Sequence, residues 1–186
     1  MKPLAELASV RTGYVRGRVD PVPGGRYRVV QSGDVKGVEG VPFGSLTRTD
    51  DLEPSHRHLL HEGDIVFVPR GENHYAALVD EPVQDTVATS QLYIIRTHEG
   101  VDPAFLTWYL NHKRAQAFFD TFARGSTVRS VNQKILGELS VPLPPLDRQR
   151  TIARVARLVR REVELTRELL QKRETFIQTR LLDAAR

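Results

Sequence analysis

Two groups of side chains in this sequence are of types that could do chemistry. Four histidines, His56, His58, His61 and His74, stand within one short stretch, and closely spaced imidazoles are common ligands for zinc, iron or manganese. The second group is the run Arg124-Gly125-Ser126-Thr127-Val128-Arg129-Ser130-Val131-Asn132-Gln133-Lys134. There one helix should end and another begin, so backbone N–H groups, hydroxyls and cations converge on a region the size of one anion, which suits a phosphate. Its candidates for DNA contact are Arg124, Ser126, Thr127, Arg129, Asn132, Gln133 and Lys134. Arg70, Asn73 and Tyr75, in a turn after an apolar run, and Arg28 and Gln31, near an earlier strand, join them. Arg, Asn and Gln are the side chains that read base edges bidentately. A plainer role for Ser130 or Asn132 is to cap the helix that follows.

The metal possibility fails on spacing. Gly63-Asp64, Pro69, Gly71 and His74 match one half of the cupin metal signature, and His56-Arg57-His58 with Glu62 imitates the other. In a cupin the two halves lie on separate strands with a segment between them, whereas Glu62 and Gly63 are adjacent here. Leu78 also stands where the signature closes on Asn. Two motifs in immediate succession cannot converge on one metal, so the histidines are expected to be solvated loop residues and no cofactor is expected. A cupin-like metal-dependent enzyme is kept as an alternative, as is a protein-binding oligomerisation adaptor. No cysteine is present to act as nucleophile or thiolate ligand, no Gly-rich phosphate loop follows a strand, and Ser126 and Ser130 lack a nucleophile-elbow context. The pattern is that of a binder and not of an enzyme.

The elements that must position these residues can be read from periodicity. Residues 3–8 have a short helical pattern, and Pro21, Pro23, Gly24 and Gly25 mark a turn. Residues 26–31 alternate as a strand, and residues 32–52 read as a long loop with at most one edge strand. Residues 64–69 are expected as a buried strand, residues 75–79 as a second and residues 92–96 as a third. Pro103 opens a single amphipathic helix of about five turns, with Phe105, Leu106, Tyr109, Leu110, Ala117, Phe118 and Phe122 on its apolar side, ending before Gly125. Pro142, Pro144 and Pro145 exclude a helix, but residues 147–186 contain no Gly or Pro, so one helix of ~55 to 60 Å is expected there at the usual rise. The fold class is α+β. A mixed or antiparallel twisted sheet with packed helices should occupy residues 1–146, followed by a long coiled-coil helix over residues 147–186.

That helix carries two adjacent apolar seams, Ile152, Ala156, Val159, Val163, Thr166, Leu170, Ile177 and Val155, Leu158, Leu165, Leu169, Phe176. Alternating steps of three and four are what a helix-pairing surface requires, and a stripe of that length needs covering by a second copy or by another subunit. The net charge of +4 is uneven: residues 147–186 hold 11 Lys/Arg against 6 Asp/Glu, which leaves the rest of the chain at −1. The basic excess reads either as a solvated helix face with Arg/Glu pairs or as phosphate contact. The opening MKPLAELASVRTG has no apolar core of a signal peptide, no run approaches the length of a membrane span, and cysteine is absent. A soluble, cytoplasmic protein is expected.

Gly125-Ser126-Thr127, Val131-Asn132, Leu136, Leu139, Val141-Pro142-Leu143-Pro144-Pro145-Leu146, Gln149 and Ile152 together resemble a family junction. It is the junction between a target recognition domain and its spacer helix in DNA-specificity subunits of type I restriction-modification systems. Asp147-Arg148-Gln149 stands where the family usually has Glu-Gln. Residues 4–13 and Gly63-Asp64-Ile65-Val66 are similar to the family's opening and central motifs. The resemblance implies a non-catalytic subunit that binds double-stranded DNA and directs a methyltransferase subunit and, in a full system, a restriction subunit. Members usually carry two such halves and this sequence matches one, so the resemblance also implies a homodimer through the last helix, with Ile152, Val155, Ala156, Val159, Val163, Leu165, Leu169, Leu170, Phe176 and Ile177 at the interface.

Overall fold

A computed structural model describes residues 1–15, 17–36, 40–71, 74–123 and 130–185. Along the chain the elements are β1 (Lys2–Pro3), α1 (Leu4–Leu7), β2 (Ala8–Thr12), β3 (Tyr27–Val30), β4 (Thr47–Thr49), β5 (Ile65–Phe67), β6 (Ala76–Leu78), β7 (Thr86–Ala88), β8 (Tyr93–Thr97), α2 (Pro103–Asn111), α3 (Lys113–Ala123), α4 (Gln133–Glu138), β9 (Ser140–Val141) and α5 (Leu146–Ala184). They divide into two units, Met1–Arg150 and Thr151–Arg186.

In the first unit the strands form an antiparallel sheet of order β2-β8-β5-β6, a mixed sheet of order β4-β3-β7, and the pair β1-β9. The larger sheet is covered on both faces, and the strand register shows how. Val66 is paired with Ile94 and with Ala77, and these three join Val30, Ala88, Phe43 and Leu46 in the core between the two main sheets. Side chains alternate along a strand, so Phe67 and its partners Tyr93 and Ala76 belong to the other face. There Phe67 meets Phe119 of α3 at 5.5 Å, and α2 packs on β6. Burial on both faces is why the sequence reads as an unbroken apolar run from Ile65 to Val68.

The α+β class is as expected, and three local readings need correction. The single five-turn helix from Pro103 is two helices, because the backbone of His112 is extended at ψ 145°. The break is fastened on both sides. Asn111 Oδ1 accepts the Ala76 N–H at 3.0 Å and its Nδ2 donates to the Ala76 carbonyl at 2.7 Å, occupying the edge of β6, while Gln116 Nε2 donates to the carbonyls of His74 and Leu110 at 2.9 and 2.7 Å. Secondly, the stretch at 32–52 has the one edge strand allowed for it, β4, but it also has 3-10 turns at Ser32–Asp34 and Phe43–Ser45, and Phe43 and Leu46 are core residues. Thirdly, the helix near the N-terminus is only one turn long, and Ala8–Thr12 continues as the edge strand of the larger sheet.

Helix α5 starts one residue after Pro145, and its first turn is tied down by Gln149, which is 1% exposed. Gln149 Oε1 accepts the Asp102 N–H at 2.9 Å, and Nε2 donates to the carbonyls of Gly100 and Pro144 at 3.0 and 2.8 Å. The second unit is helical, and none of its described residues is buried. Val155, Leu158, Val159, Val163, Leu165, Leu169, Leu170, Phe176 and Ile177 are 44–67% exposed, and Ile152 and Ala156 are half-buried. Among the described residues no helix is long and apolar enough to cross a membrane.

Candidate nucleic-acid interface

Ser130 and Val131 are fastened to the far end of β5 by backbone pairing. Val68 N–H donates to the Tyr75 carbonyl at 2.8 Å, closing the β5–β6 hairpin, and Val131 N–H donates to the Pro69 carbonyl at 2.8 Å. Arg70 is thereby bridged antiparallel to Ser130. The Val131 side chain is fully buried, so the segment is pinned by packing as well as by hydrogen bonding. Asn132 follows as the cap of α4, its Oδ1 accepting the Ile135 N–H at 2.9 Å. Of the two roles the sequence left open for Asn132, the cap is the one observed. Asn132, Gln133 and Lys134 are all exposed, as are Arg70 and Tyr75.

The hairpin end therefore joins Arg70 to Ser130 and Val131, from which Asn132, Gln133 and Lys134 continue as the exposed start of α4, with the exposed Tyr75 across the hairpin. With only six residues α4 contributes little dipole, and among the described residues of these segments the cations are Arg70 and Lys134. The charge of Arg70 reaches the Tyr93 phenol: burial pushes that hydroxyl's pKa up and the nearby guanidinium pulls it back. Arg28 belongs to the smaller sheet and Gln31 directly follows its strand β3. Arg28 is in register with Arg48 and Thr86, and Gln31 is engaged locally, its N–H donating to Asp34 Oδ2 at 2.8 Å and its Nε2 to Thr47 Oγ1 at 3.2 Å. Asn73, Arg124, Ser126, Thr127 and Arg129 lie outside the described residues.

The histidines are not all solvated, which corrects the sequence reading. His74 is 1% exposed, 6.3 Å from the Phe67 ring and 5.7 Å from that of Phe119, with a hydrogen bond between Nδ1 and the Val68 carbonyl at 3.3 Å. His58 stacks on Tyr14 at 4.5 Å. His61 Nδ1 accepts from Arg96 Nη2 at 2.8 Å, which fixes the neutral tautomer, and desolvation together with the Arg96 charge lowers its pKa. Among the described residues no three of His, Asp or Glu are grouped to hold a metal.

Spacing did not reveal the polar centre of the domain. Asp64 is 1% exposed and takes a two-pronged bond from Arg96, Nε to Oδ1 and Nη2 to Oδ2, both at 2.7 Å. Its Oδ2 also accepts the His61 N–H at 3.0 Å and lies 3.8 Å from Arg11 Nη2. The Asp64 hydrogen bond raises the pKa of Arg96, whereas desolvation and the Arg96 charge lower that of Arg11. The turn that delivers Asp64 closes from Asp64 N–H to the His61 carbonyl at 3.0 Å and needs a left-handed third residue, supplied by Gly63 at φ +88°. The signals in the sequence were a carboxylate just before a buried apolar run and its place in the Gly63-Asp64-Ile65-Val66 motif, neither of which names its partners.

A family model described as "Type I restriction modification DNA specificity domain" matches residues 1–174. The chain belongs to the type I restriction-modification DNA specificity family. Three solved structures are similar to this specificity domain in fold. The S subunit of the type I restriction-modification system from M. genitalium has 18% identity and a TM-score of 0.59, with 88% of this chain and 39% of that one covered. The HsdS subunit from Thermoanaerobacter tengcongensis has 16% identity and a TM-score of 0.58, over 87% of this chain and 37% of that one. A chain from a structure of type I R-M complex assembly and conformational transition has 17% identity and a TM-score of 0.56, over 88% and 38%. The specificity domain thus spans about two fifths of the length of the structures it matches. Its junction motif has a physical explanation here. Val141 pairs with Lys2, the prolines end that strand, and Gln149 binds the Pro144 carbonyl, so strand end and helix start are joined by one side chain.

Proposed function

We propose that residues 1–146 form a target recognition domain that reads one half of a bipartite double-stranded DNA sequence, and that residues 147–186 form its spacer helix. The chain performs no catalysis of its own and directs a methyltransferase subunit and, in a full system, a restriction subunit. The observation that supports this reading is the attachment of Ser130 and Val131 to the chain at Pro69 and Arg70, with the exposed Gln133 and Lys134 following a few residues further on and the exposed Tyr75 on the other side of the hairpin. Exposed cations hold phosphates, and the amide of Gln133 is of a type that reads adenine. Replacing Arg70 and Lys134 with Ala should lower the slope of log affinity against log salt by about two, at ~0.9 per phosphate contact. An unchanged slope with unchanged affinity would remove both residues from the DNA surface.

The seams of α5 are proposed to pair with the helix of a second copy, because nine large apolar side chains at 44–67% exposure form a surface that a lone soluble chain does not leave in water. A two-fold pair would read inverted half-sites. Sedimentation at micromolar concentration should show a dimer that Leu165→Glu with Leu169→Glu converts to monomer. A wild-type monomer at every concentration would assign the seams to another subunit.

A further inference from the structure

The basic excess of the second unit is not spread along it. Residues 151–161 hold four arginines and no acid, while residues 162–186 hold five basic and five acidic residues and so carry no net charge. Glu164 is shared between the last two of the four, 3.6 Å from Arg160 and 3.4 Å from Arg161. Among the described residues Arg154 and Arg157 are in no ion pair, and both are exposed. Steps of three and four put Arg154, Arg157 and Arg161 on one side of the helix, and at 3.6 residues per turn Val159 and Val163 of the first seam fall on the opposite side, while Leu158 of the second borders the arginines. We propose that this arginine face of α5 lies against the sugar-phosphate backbone of double-stranded DNA, at base pairs the recognition domain does not read.

Charge complementarity selects that occupant. A protein-binding face would be expected to present apolar or aromatic anchors among its charges, and between Arg154 and Arg161 no large apolar residue falls within the arc that the three arginines span, Leu158 lying at its edge. Guanidinium groups fork onto phosphate oxygens, and a face made of them alone suits a uniform polyanion better than any particular side chain. The inference rests on the DNA-binding reading above and adds that the spacer helix itself contributes affinity without sequence preference.

The test compares the wild-type chain with a triple variant, Arg154→Gln, Arg157→Gln and Arg161→Gln, on a duplex that the wild type has selected from a randomised pool. Gln keeps helix propensity, which circular dichroism verifies. Loss of three phosphate contacts should reduce the salt slope by ~2.7, so the wild type's advantage should shrink about 40-fold between 50 and 200 mM salt. The selected sequence should stay the same. Unchanged affinity and slope would overturn the proposal, and so would a variant that loses capture of the methyltransferase subunit while its salt slope is retained. A wild-type chain that enriches no sequence would instead sink the recognition reading on which the proposal stands.

Discussion

Replacing Asp64 with Ala should cost about 3 kcal/mol of folding stability, the lower end of the range for removing one partner of a buried ion pair. The lower end applies because Arg96 and Arg11 keep side-chain exposures of 45% and 32% and can turn toward water once the carboxylate is gone. Two charge-assisted bonds at 2.7 Å are lost outright, and the His61 N–H loses its acceptor. Asp64 ties the start of β5 to β8 and to the loop holding His56 and His61, so the loss should appear as a cooperative shift in a urea titration. Asp64→Asn, which preserves volume and one acceptor, should cost about 2 kcal/mol. A loss under ~1 kcal/mol for Asp64→Ala would show that the cluster contributes little beyond its packing.

Gln149→Glu should destabilise the domain by about 3 kcal/mol although the shape barely changes. The side chain makes three bonds to backbone groups in a site 1% exposed, and two of the three need a donor. A carboxylate there would face the carbonyls of Gly100 and Pro144 while itself desolvated, and each orphaned backbone group costs about 1–3 kcal/mol. Gln149→Ala should fall in the same range through orphaned polar groups and a cavity. If Glu were tolerated and Ala were not, the site would depend on volume, and the hydrogen-bond explanation of the junction would be wrong.

Residues whose roles follow from local chain chemistry could be read in the sequence. The prolines at 142, 144 and 145 forced a helix start at Leu146, the apolar run at Ile65–Phe67 gave a buried strand, and Asn132 was among the possible caps. What stayed hidden depended on register. Asp64 meets Arg96 only because β5 and β8 pair with Ile65 opposite Ile95, and Gln149 is buried only because residues 100–102 pass beside it. His74 looked like a loop residue since Phe119, whose ring packs against it, is distant from it in sequence. The break at His112 carries no Gly or Pro, and the apolar period continues through it. At the candidate interface the run at 130–134 was visible as a cluster of contact-capable residues, whereas its meeting with Arg70 required the Val131 to Pro69 hydrogen bond.

Selection of bound duplexes from a randomised pool by the wild-type chain, followed by sequencing, tests most directly that this is a recognition domain and not merely a basic surface. The expected result is one short sequence enriched over successive rounds, arranged as inverted half-sites around an unread interval, with enrichment reduced by Arg70→Ala together with Lys134→Ala. Recovery of bound DNA whose base composition stays that of the input, at every salt concentration, would contradict sequence recognition.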